Sequence, residues 1–349
     1  MPGVRIGDCG EKLGLNGVDN GRLWFDQVRI PRENLLNRFG DVDADGVYSS
    51  PITSESRRFF TMLGTLVGGR VCVPIAGLSA AKSGLAIAIK YAAVRRQFGP
   101  SGGVETPILD YRTHQRRLMP LLAKAYAFHF AHEYMRKEFL NHSEEDTREL
   151  EALAAGLKAA STWNTTATLQ ECREACGGNG YLSVNRFALL KADTEIFTTF
   201  EGDNTVLMQL VAKARLTEFK KEFSDLNFFG MVNFVAQQAA NIISEKNPIT
   251  IRRTDPDHLR DSDFHLTLFR NREADKVMSV SKRLKKRIDA GVDSYDAVME
   301  VQVHLVNMAH AYIDRIVLEQ FIETVNKCED ADLKMMLKKL CDLYALTSI

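Results

Sequence analysis

The sequence carries no net charge: 45 lysines and arginines balance 45 aspartates and glutamates. With no field of either sign, nothing in the charge argues for nucleic acid or an anionic membrane surface as a partner. Cysteine is sparse. Six thiols, at positions 9, 72, 172, 176, 328 and 341, are scattered over 349 residues, the usage of a reducing compartment rather than of a disulfide framework. Cys172 and Cys176 stand one helical turn apart, but no second Cys or His pair follows at zinc spacing, so they are expected to pack on one helix face. His129 and His132 are three apart on a predicted helix and are read the same way. No run of eighteen apolar residues occurs, and no basic segment followed by an apolar core opens the chain. Neither a membrane span nor a secretory signal is therefore expected. The closing "LYALTSI" is not an S-K-L-type address.

What is present is 45% apolar and 26% charged sequence, enough for a substantial core and more than one structural layer. Residues 1–50 hold the pairs Asn16-Gly17 and Asn20-Gly21 and the β-rich "RLWFDQVRI", which predict strands joined by tight turns. So short a β-segment is marginal alone, and the front of a larger β-domain is expected to precede it. From Ser56 the pattern turns helical. Residues 59–99 are apolar on nearly all sides and rich in small residues, the mark of a helix buried against several others, either kinked at Pro74 or with a loose first part before it, and stopped by Gly99-Pro100. A second helix is predicted from Pro107 towards Leu140, and a third from the Ser143/Asp146 capping box to Gly177-Gly178. A fourth covers 203–221, and such helices make a bundle. Past Phe223, "MVNFVAQQAANIISEK" stays helical, a polar link carries Pro248 and Pro256, and amphipathic segments run from about 264 to 346. The pattern is expected to continue beyond Ile349, where no cap appears. The fold class is mainly α: a partial β-domain at 1–53, a helical bundle at 54–222 and a second helical domain at 223–349.

Three stretches can carry chemistry. "ACGGNGYLS" (175–183) lets the backbone turn sharply, either as a helix stop or as a close approach to a phosphate or ring; it follows a predicted helix, so it is no Rossmann fingerprint. "VRRQFG" (94–99) joins the charges of Arg95 and Arg96 to the amide of Gln97 and the ring of Phe98, a set suited to a pyrophosphate and an aromatic system, or to complementing a helix dipole. "TTFEGDNTVL" (198–207) places the carboxylate of Glu201 between Phe200 and Gly202, with Asp203 and Asn204 as caps of the following helix.

Taken in order, "VRRQFG" and "REACGGNGYLSVNRFALLKADTEIFTTFEGDNTVL" resemble the acyl-CoA dehydrogenase and oxidase superfamily, and the Glu-Gly-Asp-Asn form resembles the acyl-CoA oxidases. The opening "GEKLGLNGVDNGRLWFDQVRIPRENLLNR" is similar to the oxidases' middle β-domain, and "HLRDSDFH" to their added C-terminal region. The resemblance covers nearly the whole chain, which reads as the C-terminal two-thirds or so of such a protein. It implies that Glu201 is the base that removes an α-proton from a fatty acyl thioester, with Gly202 and Arg70 beside the substrate. It implies FAD contacts at Arg95, Gln97, Phe98, Gln115, Glu174, Gly178, Asp203 and Thr205. Glu174 departs from the pattern, since dehydrogenases commonly have glutamine there.

The activity so implied is FAD-dependent oxidation of fatty acyl-CoA to the trans-2-enoyl thioester, with molecular oxygen as electron acceptor and hydrogen peroxide as product. A homodimer with shared flavin sites and a peroxisomal location follow from the same resemblance. Two other readings stand beside it: a dehydrogenase that passes electrons to a flavoprotein, and a catalytically silent helical module that dimerises.

Overall fold

A computed structural model describes residues 1–142, 148–224 and 254–349. The predicted capping box at Ser143 and Asp146 and the segment 231–246 lie outside the described residues.

The N-terminal stretch forms two small antiparallel strand pairs, but the Asn-Gly pairs do not make the tight turn expected between the first two strands, which are joined by the long loop 9–20. Strand β1 (Val4–Asp8) pairs with β2 (Gly21–Phe25), and β3 (Asp41–Val42) with β4 (Tyr48–Ser49). Ile6, Leu23 and Phe25 are exposed. The connecting loop leans on the helical part, where the Leu15 amide donates to Asp193 at 2.8 Å.

The helices are α1 (Glu55–Leu63), α2 (Val67–Val94), α3 (Arg112–Asn141), α4 (Arg148–Ala175), α5 (Phe187–Glu195) and α6 (Asn204–Ser224). A single turn, α7 (Pro256–Leu259), precedes α8 (Ser262–Asp289), α9 (Ser294–Lys327) and α10 (Ala331–Ser348). Aspartates at 255, 261, 293 and 330 cap these last four with their side chains, satisfying amides that have no partner inside the helix.

Helix α2 is the centre of the bundle. Its length and composition would let it cross a membrane, although no uninterrupted apolar run predicted that. Here it packs on α3, α4 and α5 and buries Val71, Leu78, Leu85, Ala88 and Ala92. Gly77 and Gly84 explain how closely α4 approaches: a Cβ would stand 3.1 Å from the Thr165 hydroxyl at one and 2.7 Å from Leu169 at the other. Ser161 of α4 reaches the Pro74 carbonyl of α2. The helix ends at Val94, earlier than the predicted stop at Gly99-Pro100, so Arg95 and Arg96 follow it in extended backbone instead of completing its last turn.

The apolar core runs without a break from the bundle into the C-terminal helices. Helix α9 packs on α3, α4, α6, α8 and α10, and Ile313 fills the space above Gly156 of α4. Cys172 and Cys176 are both buried in this core, where burial pushes the Cys172 thiol up to about 12. A charged knot ties three helices at its edge. Glu273 of α8 pairs with Arg215 of α6 at 2.8 Å and with Arg315 of α9, and both guanidinium groups lie over the Tyr312 ring.

Candidate active site

The sequence-predicted residues fall into two groups. The first surrounds Glu201 in the turn before α6. Glu201 adopts φ 57°, the left-handed region that a non-glycine residue rarely enters, and Gly202 follows at φ 112°. Only glycine enters that second conformation without strain. Asp203 caps α6 by accepting from the amides of Thr205 at 2.9 Å and Val206 at 3.2 Å. Asn204 is not a cap of the kind expected: it is buried and donates to the Ala159 carbonyl at 3.2 Å and the Thr162 hydroxyl at 2.9 Å, both on α4.

The Glu201 side chain lies against the start of α2. A Cβ at Gly69 would stand 2.5 Å from its carboxyl carbon and 2.6 Å from either oxygen, so the absent side chain is what makes room for the acid. Oε2 is buried and has no hydrogen-bond partner among the described residues. Phe197 and Phe200 stack beside the turn at 5.2 Å between centroids. Arg70 is close, as expected, but its Nε donates to the Glu201 backbone carbonyl at 3.1 Å rather than to the carboxylate.

Two participants escaped sequence reasoning. Gly69 was hidden in an apolar helix start. Lys158 sits in the middle of α4, inside "AAGLKAAS", with a fully buried side chain. Its Nζ donates to the Gly202 carbonyl at 2.7 Å and to Asn204 Oδ1 at 2.9 Å. Burial pushes the ammonium down to about 8, against a smaller upward pull from Asp203 and Glu201. A lone lysine between small apolar residues was the available signal.

The second group lines a cleft of about 730 Å³ between the ends of α2 and α4 and the start of α3. Arg95, Gln97, Phe98, Glu174 and Gly178 all face it, together with Tyr91, Tyr111 and His114. The loop after α2 is braced for this. Gln97 and Phe98 exchange backbone hydrogen bonds with Thr106, Arg96 donates to the Glu105 carbonyl, and Tyr111 donates to that of Gln97. Phe98 is thereby held at φ 59° with its ring 76% exposed. Around Gly177 and Gly178 a Cβ would meet nothing within 4 Å, so the glycine-rich turn offers open backbone to a ligand. Glu174 is held below the usual carboxylate range by the Gln170 amide, with Arg173 and Arg117 adding to it.

Gln115 is not brought into the cleft: its amide is occupied by the Leu109 carbonyl at 3.0 Å. Asp203 and Thr205 belong to the Glu201 group. The Glu201 group sits beside the middle of α4 and the cleft at its C-terminal end. Sixteen residues separate Lys158 from Glu174, roughly 24 Å along a helix.

A glycine-rich cleft at the end of α4 and a strained acid turn beside its middle make a helical bundle with two separate candidate sites, and comparison with known proteins specifies its class. Residues 63–216 match the family described as "Acyl-CoA oxidase, C-alpha1 domain", and residues 261–349 match "Acyl-CoA oxidase". The chain belongs to the acyl-CoA oxidase family. It is 45% identical to the peroxisomal acyl-coenzyme A oxidase 2 of Arabidopsis thaliana, over 100% of this chain and 51% of that protein. The crystal structure of acyl-CoA oxidase 3 from Yarrowia lipolytica superposes with a TM-score of 0.84 at 30% identity, covering 100% of this chain and 51% of that one. An acyl-CoA oxidase 1 from Caenorhabditis elegans, solved with FAD and ATP, gives 0.80 at 27% identity over 99% and 50%. The chain thus spans about half the length of the relatives it matches.

Proposed function

We propose that this chain serves the FAD-dependent oxidation of fatty acyl-CoA to trans-2-enoyl-CoA in peroxisomes, with oxygen as the electron acceptor. The observation that carries the reading is Glu201, a carboxylate whose buried Oε2 has no hydrogen-bond partner among the described residues, so that its lone pairs are unclaimed. An α-C–H beside a thioester is a weak acid, and its removal needs a positioned base together with stabilisation of the enolate-like state. Glu201 supplies the base, and its backbone N–H is the donor proposed for the thioester carbonyl. Gly202 and Arg70 shape the substrate side of the turn. The stacked Phe197 and Phe200 rings help to exclude water from the carboxylate.

The cleft residues fit FAD. Arg95 offers a guanidinium for a pyrophosphate, Phe98 an exposed ring for stacking, and Gly178 unobstructed backbone. A bound FAD would supply the redox chemistry, an acceptor for the β-hydrogen as hydride and a route for both electrons to oxygen. The separation of cleft and acid along α4 supports a homodimer in which Arg95, Gln97, Phe98, Glu174 and Gly178 serve the flavin facing the other subunit's Glu201. Asp203 and Thr205 then meet it from the acid's side, while Gln115, which commits one amide N–H to Leu109, has its second N–H and its oxygen for a contact. On this reading residues 54–222 form the flavin-binding unit and residues 223–349 a helical extension.

Glu201→Gln is the test. Peroxide formation from acyl-CoA without added acceptor is expected to fall by several orders of magnitude, with flavin absorbance after desalting unchanged. A variant that keeps its rate removes Glu201 from the role. Turnover that requires an electron-transfer flavoprotein points to the dehydrogenase reading instead.

A further inference from the structure

We propose that Lys158 is a positioning residue for the acid turn, closing with Arg70 a two-cation clamp on the consecutive backbone carbonyls of Glu201 and Gly202. The inference rests on the reading of Glu201 as the base. Arg70 reaches the Glu201 carbonyl from α2 at 3.1 Å, and Lys158 reaches the Gly202 carbonyl from α4 at 2.7 Å. The buried Oε2 of the carboxylate makes no hydrogen bond among the described residues that would fix it. Its place is therefore decided by the backbone that bears it.

That backbone does not hold itself. Glu201 at φ 57° and Gly202 at φ 112° form a turn that persists only where the surroundings over-determine it. The α4 helix supplies the constraint in one short stretch. Lys158 bonds Gly202 and the Asn204 side-chain oxygen, while Ala159 and Thr162 accept from the Asn204 amide nitrogen. All donors and acceptors of that amide are thus directed, and its orientation is set. Neither acceptor of the ammonium is charged, so ion pairing does not account for a fully buried lysine. Holding the turn does. The charged groups facing Lys158 are Arg70 from α2 and Glu201 and Asp203 from the turn itself.

The full chain loaded with FAD tests this, comparing wild type, Lys158→Met and Glu201→Gln. Hydrogen exchange by mass spectrometry is followed in peptides covering residues 198–206 and 150–175. Lys158→Met keeps most of the aliphatic stem and removes the ammonium with both of its hydrogen bonds. The expected result is exchange at least about tenfold faster across 198–206 with 150–175 unchanged. A drop in kcat on the order of 10²-fold with little change in KM should accompany it, as for a displacement of about 1 Å at a reacting group. Unchanged exchange and kcat overturn the clamp, and so does faster exchange in both windows, which marks Lys158 as general packing. If Glu201→Gln retains its rate while the exchange result holds, the base assignment fails and the clamp on the turn stands. Should Lys158→Met not fold, Thr162→Val removes the outermost tie to Asn204 together with the hydroxyl's own bonds to the Lys158 and Ala159 carbonyls within α4. A smaller rise confined to 198–206 supports the inference there, and no rise overturns it.

Discussion

Gly69→Ala sets the fold and the acid against each other at one atom. The position lies in the first turn of α2, and its φ is not in the left-handed region, so alanine is sterically compatible with the helix. In a helix interior alanine is better than glycine by about 1 kcal/mol. The added methyl, however, arrives 2.5 Å from the Glu201 carboxyl carbon, where ordinary contact begins near 3.4 Å. The carboxylate must retreat by roughly 1 Å to restore contact distance. It is the far end of a flexible side chain, so it moves while the backbone stays. A displacement of that size at a reacting group costs on the order of 10²-fold in rate, or about 2.7 kcal/mol in barrier. Thermal unfolding, flavin retention and peroxide production on the same preparation separate the two effects. The melting temperature should be unchanged or raised by up to about 3 °C, with flavin retained and kcat reduced about a hundredfold. Wild-type kcat would show that the carboxylate does not act from the place it occupies against α2. A stability loss above about 2 kcal/mol would show that the acid cannot move aside, refuting the premise of the calculation.

Three further outcomes are expected. Phe98→Gly removes a bulky residue from φ 59°, so stability should be unchanged or gain up to about 1 kcal/mol while less flavin survives desalting; undiminished flavin would exclude the ring from binding. Glu273→Gln leaves Arg215 and Arg315 facing each other with their side chains only 20% and 17% exposed, and a loss of about 3 kcal/mol in urea unfolding is expected. Lys158 should also imprint a pH dependence, since burial lowers it from 10.5 to about 8 against the opposing charges of Asp203 and Glu201 and with that of Arg70. Between those values the unfolded chain holds a proton that the folded chain has released, so this group's contribution to stability rises with pH across the window and is flat below it. Wild type minus Lys158→Met, measured in urea from pH 7 to 10, should grow above pH 8; a constant difference would refute the assignment.

The helical segments were legible because their signals are local. Apolar runs, glycine stops and β-rich turns lie within a few residues of what they determine, and the observed helices begin and end near the expected places. The exceptions are instructive. Helix α2 stops at Val94 because Arg96 bridges Pro107, the Gln97 amide donates to Thr106 and the Thr106 amide donates to Phe98, a pairing across a loop that no local rule anticipates. Gln115 was assigned by the motif it resembles, yet it turns to Leu109. Lys158 escaped sequence reasoning, since only the packing of α6 against α4 puts the Gly202 and Asn204 oxygens within its reach.

The sequence by itself determined the mainly helical class, the family, and the residue types at hand: an acid before a glycine, a glycine-rich turn, and an arginine-glutamine-phenylalanine run. These are properties of short windows, where side-chain chemistry and backbone preference are written directly. Tertiary structure alone decided where those windows meet. It gathered Arg95, Gln97, Phe98, Glu174 and Gly178 around one cleft, and it set Glu201 apart from them beside Gly69. It also buried a lysine to hold the strained turn. Strain and burial depend on neighbours distant in the chain, and hydrogen-bond partners supplied from another helix leave no periodic trace in the sequence that needs them.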